Sequence, residues 1–201
     1  MRYSSLVAES KRPNLARGVA FLLLCVIATV AGPAARAADA ELRLRDLAVA
    51  VDEGVYELDA RLEIELPGAA RRAVESGLTL RLRYEIVIDR ERRYMLDAEV
   101  AALAQRYEVT YHALSQRWLV RNLNTGEQFD YGSLDNALAR ISELRGLPIL
   151  DAALVSPGPL YLGRIRAVLD LSTAPDAFGW LLFWADDWSA ESDWITWTLR
   201  P

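Results

Sequence analysis

Alternation of apolar and polar side chains with a period of two dominates the chain. It is clearest where Leu58, Ala60, Leu62, Ile64 and Leu66 are interleaved with Asp59, Arg61, Glu63 and Glu65. Successive side chains of a strand point to opposite faces, so this stretch predicts a strand with one dry and one wet side. The pattern returns at Leu78, Leu80, Leu82, Tyr84, Ile86 and Ile88, and again at Gly163, Ile165, Ala167, Leu169 and Leu171. Weaker strand signals run over 42–51, 106–113, 118–122 and 127–131. In the first of these the apolar set changes phase between Leu44 and Leu47, which predicts a bulge near Asp46. Tight turns are expected around Glu53-Gly54, Leu114-Ser115-Gln116 and Asn124-Thr125-Gly126.

One helix is expected where Ser133 can cap a stripe of Leu134, Ala137, Leu138, Ile141 and Leu144, with Gly146 and Pro148 ending it. A shorter helical turn falls between Gly68 and Gly77, whereas Tyr94 to Ala104 is too alanine-rich to assign to strand or helix. Seven or eight strands with one charged face each must bury their apolar faces against one another or against the helix. The expected fold is therefore mainly β, a two-layer antiparallel sandwich with one or two short helices, and an immunoglobulin-like topology is one way to build it.

The N-terminus follows another pattern. A basic stretch with Arg2, Lys11, Arg12 and Arg17 precedes an apolar run from Val19 to Ala31, then Gly32-Pro33 and the small residues Ala35-Arg36-Ala37. These are the parts of a cleaved secretory signal, so residues 1–37 are expected to be removed and residues 38–201 to form one β-rich domain in the periplasm. The apolar run is shorter than the ~20 residues of a membrane span. Retention as an inner-membrane anchor is the alternative.

Export leaves a domain without thiols, because Cys25 is the only cysteine and lies in the apolar run. Thiolate nucleophiles, disulfides and thiolate metal sites are excluded with it. Removing residues 1–37 leaves 18 basic against 27 acidic residues, a net charge of −9 that disfavours nucleic acid as a partner. No lysine follows Lys11, which excludes Schiff-base chemistry and a P-loop. No cofactor is expected.

The candidate chemistry is sparse. His112 is the only histidine, and Ser115 lies three positions on; a hydrolase acting on an envelope polymer would have to use them, yet no Gly-x-Ser-x-Gly elbow is present. Asp186, Asp187, Glu191 and Asp193 crowd together without the spacing or glycine of an EF-hand, so no metal site is expected. Arginine pairs one residue apart recur at Arg43 and Arg45, Arg81 and Arg83, and Arg164 and Arg166, and on a strand each pair shares a face. On neighbouring strands they would form a platform for anionic groups, unless they pair with Glu57, Glu63, Glu65 or Glu85. Trp180, Trp184 and Trp188 share a helical spacing with Leu181, which suits a buried cap or, if exposed, a docking patch.

The stretch Tyr111-His112-Ala113-Leu114-Ser115-Gln116-Arg117-Trp118-Leu119-Val120, with Phe129 before the helix and Ser192-Asp193-Trp194 near the end, resembles a proteobacterial family of exported single-domain proteins, domain-of-unknown-function family 4390. The apolar segment from Phe178 to Trp188 departs from that pattern. The resemblance implies an envelope protein linked to a nitrogen-regulation-type sensor kinase and an RNA methyltransferase, and it carries no catalytic residue. Together these readings favour a periplasmic binding or protein-interaction module, with a sensor kinase as the expected partner. A hydrolase using His112 and a membrane-anchored structural protein are the alternatives.

Overall fold

The computed structural model describes residues 40–92, 97–172 and 188–199, all within one compact unit, Ala38–Pro201. Among them the chain forms ten strands in two antiparallel sheets. In the first, β1 (Glu41–Asp52), β2 (Val55–Glu65) and β7 (Glu143–Asp151) lie in the order β1-β2-β7. The second has seven strands: β3 (Thr79–Arg90), β4 (Ala98–His112), β5 (Arg117–Asn122), β6 (Gln128–Tyr131), β8 (Tyr161–Ser172), β9 (Ser189–Glu191) and β10 (Ile195–Leu199). Its order is β10-β8-β3-β4-β5-β6, with β9 alongside β8. Helix α1 (Gly68–Glu75) carries the chain from the first sheet to the second, and α2 (Leu134–Ile141) precedes its return. The three-and-seven division differs from the four-on-three arrangement of an immunoglobulin constant domain.

The three strong period-two signals are the three most buried strands. Leu58 and Leu62 of β2 meet Leu82, Ile86, Ile165 and Leu169 of β3 and β8 in one core. Tyr84, also in that core, donates from its hydroxyl to the Ile141 carbonyl at 2.8 Å and so satisfies an orphan acceptor at the end of α2. Its burial pushes the phenol pKa well above the ordinary value, with a further contribution from Tyr107. The bulge expected near Asp46 is present: the β1–β2 register shifts between Arg45 and Ala48, and Asp46 adopts φ 51°.

Two expectations need correction. Strands outnumber the seven or eight foreseen, because 143–151 forms β7 and the C-terminal stretch supplies β9 and β10, while 98–104 lengthens β4. The helix also stops earlier. Ser133 caps it as expected, accepting from Asn136 N at 3.2 Å, but it ends at Ile141, three residues before Leu144. Ser142 turns back onto the Leu138 carbonyl through both its N–H and its hydroxyl, and its own carbonyl accepts from Leu62 N at 2.8 Å. Strand β2 thereby captures the chain, and Leu144 reaches the core from β7 rather than from the helix. Gly146 and Pro148 mark irregularities in β7 instead of a helix stop: Gly146, at φ 57°, gives its N–H to Asp59 Oδ1 at 2.7 Å.

Three strands cannot cover the inner face of a sheet twice as wide. Helix α2 covers part of β5 and β6, and a cleft remains between β7, the end of α2 and the inner side of β4 and β5.

Candidate functional site

Strands β3 and β8 are neighbours, so the arginines predicted to share faces do meet on the outer side of the seven-stranded sheet. Register decides how. Arg166 stands opposite Glu85, Arg81 opposite Asp170, Arg83 opposite Val168 and Arg164 opposite Val87, which staggers the guanidinium groups among carboxylates. Arg81 bonds Glu108 at 2.9 Å across β3–β4, Arg166 bonds both Glu85 at 2.7 Å and Glu191 at 2.6 Å, and Arg164 lies 3.5 Å from Asp89. Arg83 Nε is 2.9 Å from Glu85 Oε1 but too poorly aligned to count as a hydrogen bond. Partial burial pushes the Glu85 carboxyl up, yet its hydrogen bond to Arg166 and the charges of Arg166 and Arg83 outweigh this and hold it below its ordinary value. The result is a polar sheet face of alternating sign, not a bare cationic platform. On the other sheet Arg43 pairs with Glu41, and Arg45 with Glu63 at 3.4 Å.

One edge of this face carries a tryptophan. Strand β9 keeps register with β8 through Glu191 opposite Val168, and β10 resumes it with Ile195 opposite Ile165. Between them Ser192 faces Ala167, leaving Asp193 and Trp194 opposite the single residue Arg166, which is a β-bulge. Ser192 holds the bulge closed: its N–H donates to the Ala167 carbonyl at 2.9 Å, and its hydroxyl oxygen accepts from Ala167 N at 2.9 Å while donating to the Asp193 carbonyl at 3.0 Å. Both residues are buried. Trp194 is thereby aimed outward, over Arg166 at 4.9 Å and Arg164 at 5.3 Å, and it is still 40% exposed. Leu162, on the same face of β8, is exposed as well.

Further along the sheet, Tyr111 and Trp118 pack across β4–β5 with ring centroids 4.9 Å apart, and the hairpin between them closes through Gln116 at φ 52°. His112 is the last residue of β4, opposite Arg117, and Ser115 sits in the turn that follows, both exposed. His112 Nδ1 is 2.9 Å from Ser115 Oγ, and the Ser115 N–H points to the same nitrogen at 3.4 Å. Nδ1 is thus the acceptor of a local turn contact. No hydrogen bond joins a carboxylate to the ring among the described residues.

Trp180 and Trp184, with Asp186 and Asp187, lie outside the described residues. Trp188 is half-buried against the core, and Glu191 is committed to Arg166. Sequence reasoning singled out Arg164 and Arg166 but missed Trp194 as their companion. The signal available was its phase: Trp194, Thr196 and Thr198 alternate with Ile195, Trp197 and Leu199.

The described residues form a mainly-β antiparallel sandwich whose wider sheet carries Trp194 against Arg164 and Arg166 on its outer face. The chain belongs to the DUF4390 family, a domain of unknown function whose sequence profile matches residues 39–198. Comparison with curated proteins and with solved structures finds no match.

Proposed function

We propose that the protein is an exported interaction module that receives a protein partner on the outer face of its seven-stranded sheet, around Trp194, Arg164 and Arg166. The observation that carries this reading is the bulge, which turns a large aromatic side chain out of the edge strand and seats it on two guanidinium groups. Tryptophan and arginine are the side chains most often found to dominate protein interfaces, and both are already immobilised here, so less ordering entropy is lost on docking. Interleaved carboxylates argue for a protein over an anionic polymer, since a polyanion would meet Glu85, Asp89 and Glu191 along with the arginines. Arg106, directly opposite Arg83, holds no ion pair among the described residues and offers a place for one acidic side chain of the partner. The extracytoplasmic part of an envelope sensor kinase is the partner that the family resemblance suggests.

Co-purification from cells tests this. The wild-type protein should retain an envelope protein that Trp194→Ala combined with Arg164→Glu loses, while the variant keeps its fold by circular dichroism. Equal retention by both would refute the reading.

A second reading, an envelope-polymer hydrolase, is favoured by the 2.9 Å contact between His112 and Ser115. Ser115→Ala abolishing hydrolysis of an ester or glycan substrate would establish it over the first.

A further inference from the structure

On the other side of the seven-stranded sheet, the cleft left by the narrow first sheet has a volume of about 440 Å³, within the ~300–1,000 Å³ span of small-ligand sites. Tyr107, Leu144, Leu147 and Pro148 give it apolar walls. Gln105, only 8% exposed, and Asn122 supply its polar floor. Their orientation is fixed by the backbone. Asn122 Oδ1 accepts from Asn124 N at 2.9 Å and Thr125 N at 3.3 Å, so the oxygen of that amide must be where these donors are. Gln105 approaches the same oxygen at 2.9 Å and must therefore offer Nε2.

Two consequences follow for the cleft. Gln105 Oε1 has no partner among the described residues, and the same is true of Asn122 Nδ2, so this bonded pair of carboxamides keeps one acceptor and one donor to spare. That pair is the complement of an amide group, which brings one N–H and one carbonyl. At the rim, Glu143 is shared by Arg61 and by Arg145, the latter at 2.6 Å. Arg140 differs: it lies over the Phe129 ring at 5.7 Å and holds no carboxylate among the described residues. The cleft thus presents an amide-reading floor, apolar walls and one uncommitted cation, in a domain otherwise rich in negative charge.

We infer that this cleft is a second binding site and takes the C-terminal end of a peptide, with Gln105 and Asn122 reading a peptide group and Arg140 meeting the terminal carboxylate. It is independent of the Trp194 face. Three probes separate the parts of the claim in nuclear magnetic resonance titrations of the purified protein: N-acetyl-leucyl-leucine, its C-terminal amide, and octanoate.

N-acetyl-leucyl-leucine should shift the side-chain amide signals of Gln105 and Asn122. The amide-capped probe should bind about tenfold or more weakly, the scale of one hydrogen bond to a charged group. Octanoate, an apolar anion without an amide, should fall equally short. Arg140→Glu, a change at an exposed side chain that keeps the fold, should weaken the first probe by a similar factor and leave the capped one unaffected. Gln105→Met should weaken both dipeptides. Octanoate binding as well as the dipeptide, the capped probe binding equally, or no shift at Gln105 and Asn122 with any probe would each overturn the inference.

Discussion

Ser192→Ala isolates the device that aims Trp194 outward, on which the proposed interaction face depends. In the wild type the serine hydroxyl is the acceptor for Ala167 N, a donor in the middle of β8 with 0% exposure, and Ser192 itself is 7% exposed. Removing the oxygen leaves that N–H buried and unpaired, which costs about 1–3 kcal/mol. For a domain of this size each kcal/mol moves the melting temperature by about 2–4 °C, so a loss of roughly 2–12 °C is expected. The same energy predicts a drop of about five- to 150-fold in hydrogen-exchange protection at the Ala167 amide, with little change at amides of β2. Ser192→Cys, similar in shape but a weaker acceptor, should fall between the two. Unchanged protection at Ala167 and an unchanged melting temperature would refute the reasoning, because the bulge would then be held by something other than this hydroxyl.

Gly163 lies under the Trp197 ring, and a Cβ there would land on the ring atoms Cε2 and Cζ2. Gly163→Ala should destabilise by about 1–3 kcal/mol in urea unfolding, and the loss should largely vanish in the background of Trp197→Ala; additive effects would count against the contact. Tyr84→Phe removes the hydroxyl that donates to the Ile141 carbonyl, with an expected cost of about 1–2 kcal/mol. Because the folded phenol titrates above the unfolded one, its contribution is full below pH ~10 and is lost as pH rises beyond it. Wild-type stability should therefore fall more steeply than that of Tyr84→Phe in alkaline denaturation, and parallel curves would contradict this. His112→Ala, at the exposed end of β4, should change unfolding free energy by less than about 0.5 kcal/mol.

What could be read from the chain was the part governed by periodicity. Strands β2, β3 and β8 alternate over ten or more residues with one charged face each, and nothing tertiary overrides that signal. The phase change at Asp46 was legible for the same reason. Strand β7 was not, because Leu138, Ile141 and Leu144 satisfy a helical stripe as well as they satisfy a turn followed by a strand. Only the pairing of Leu62 with Ser142 decides between the two. The arginine faces were legible as faces, but register sets their partners, and register depends on contacts between strands far apart in the chain. Gln105 and Asn122 carried no local mark: two carboxamides 17 positions apart become a site only when β4 and β5 pair and the opposing sheet stops short.

The most direct test of the central claim is photo-crosslinking in living cells from a benzophenone amino acid placed at Thr196, opposite Arg164 on the outer face beside Trp194. A probe at Glu63, on the outer side of the other sheet, serves as reference. A discrete crosslinked envelope protein from position 196, missing from position 63 and lost when Trp194 is replaced by Ala, is the predicted result. Identical adducts from both positions, or none from position 196, would contradict it.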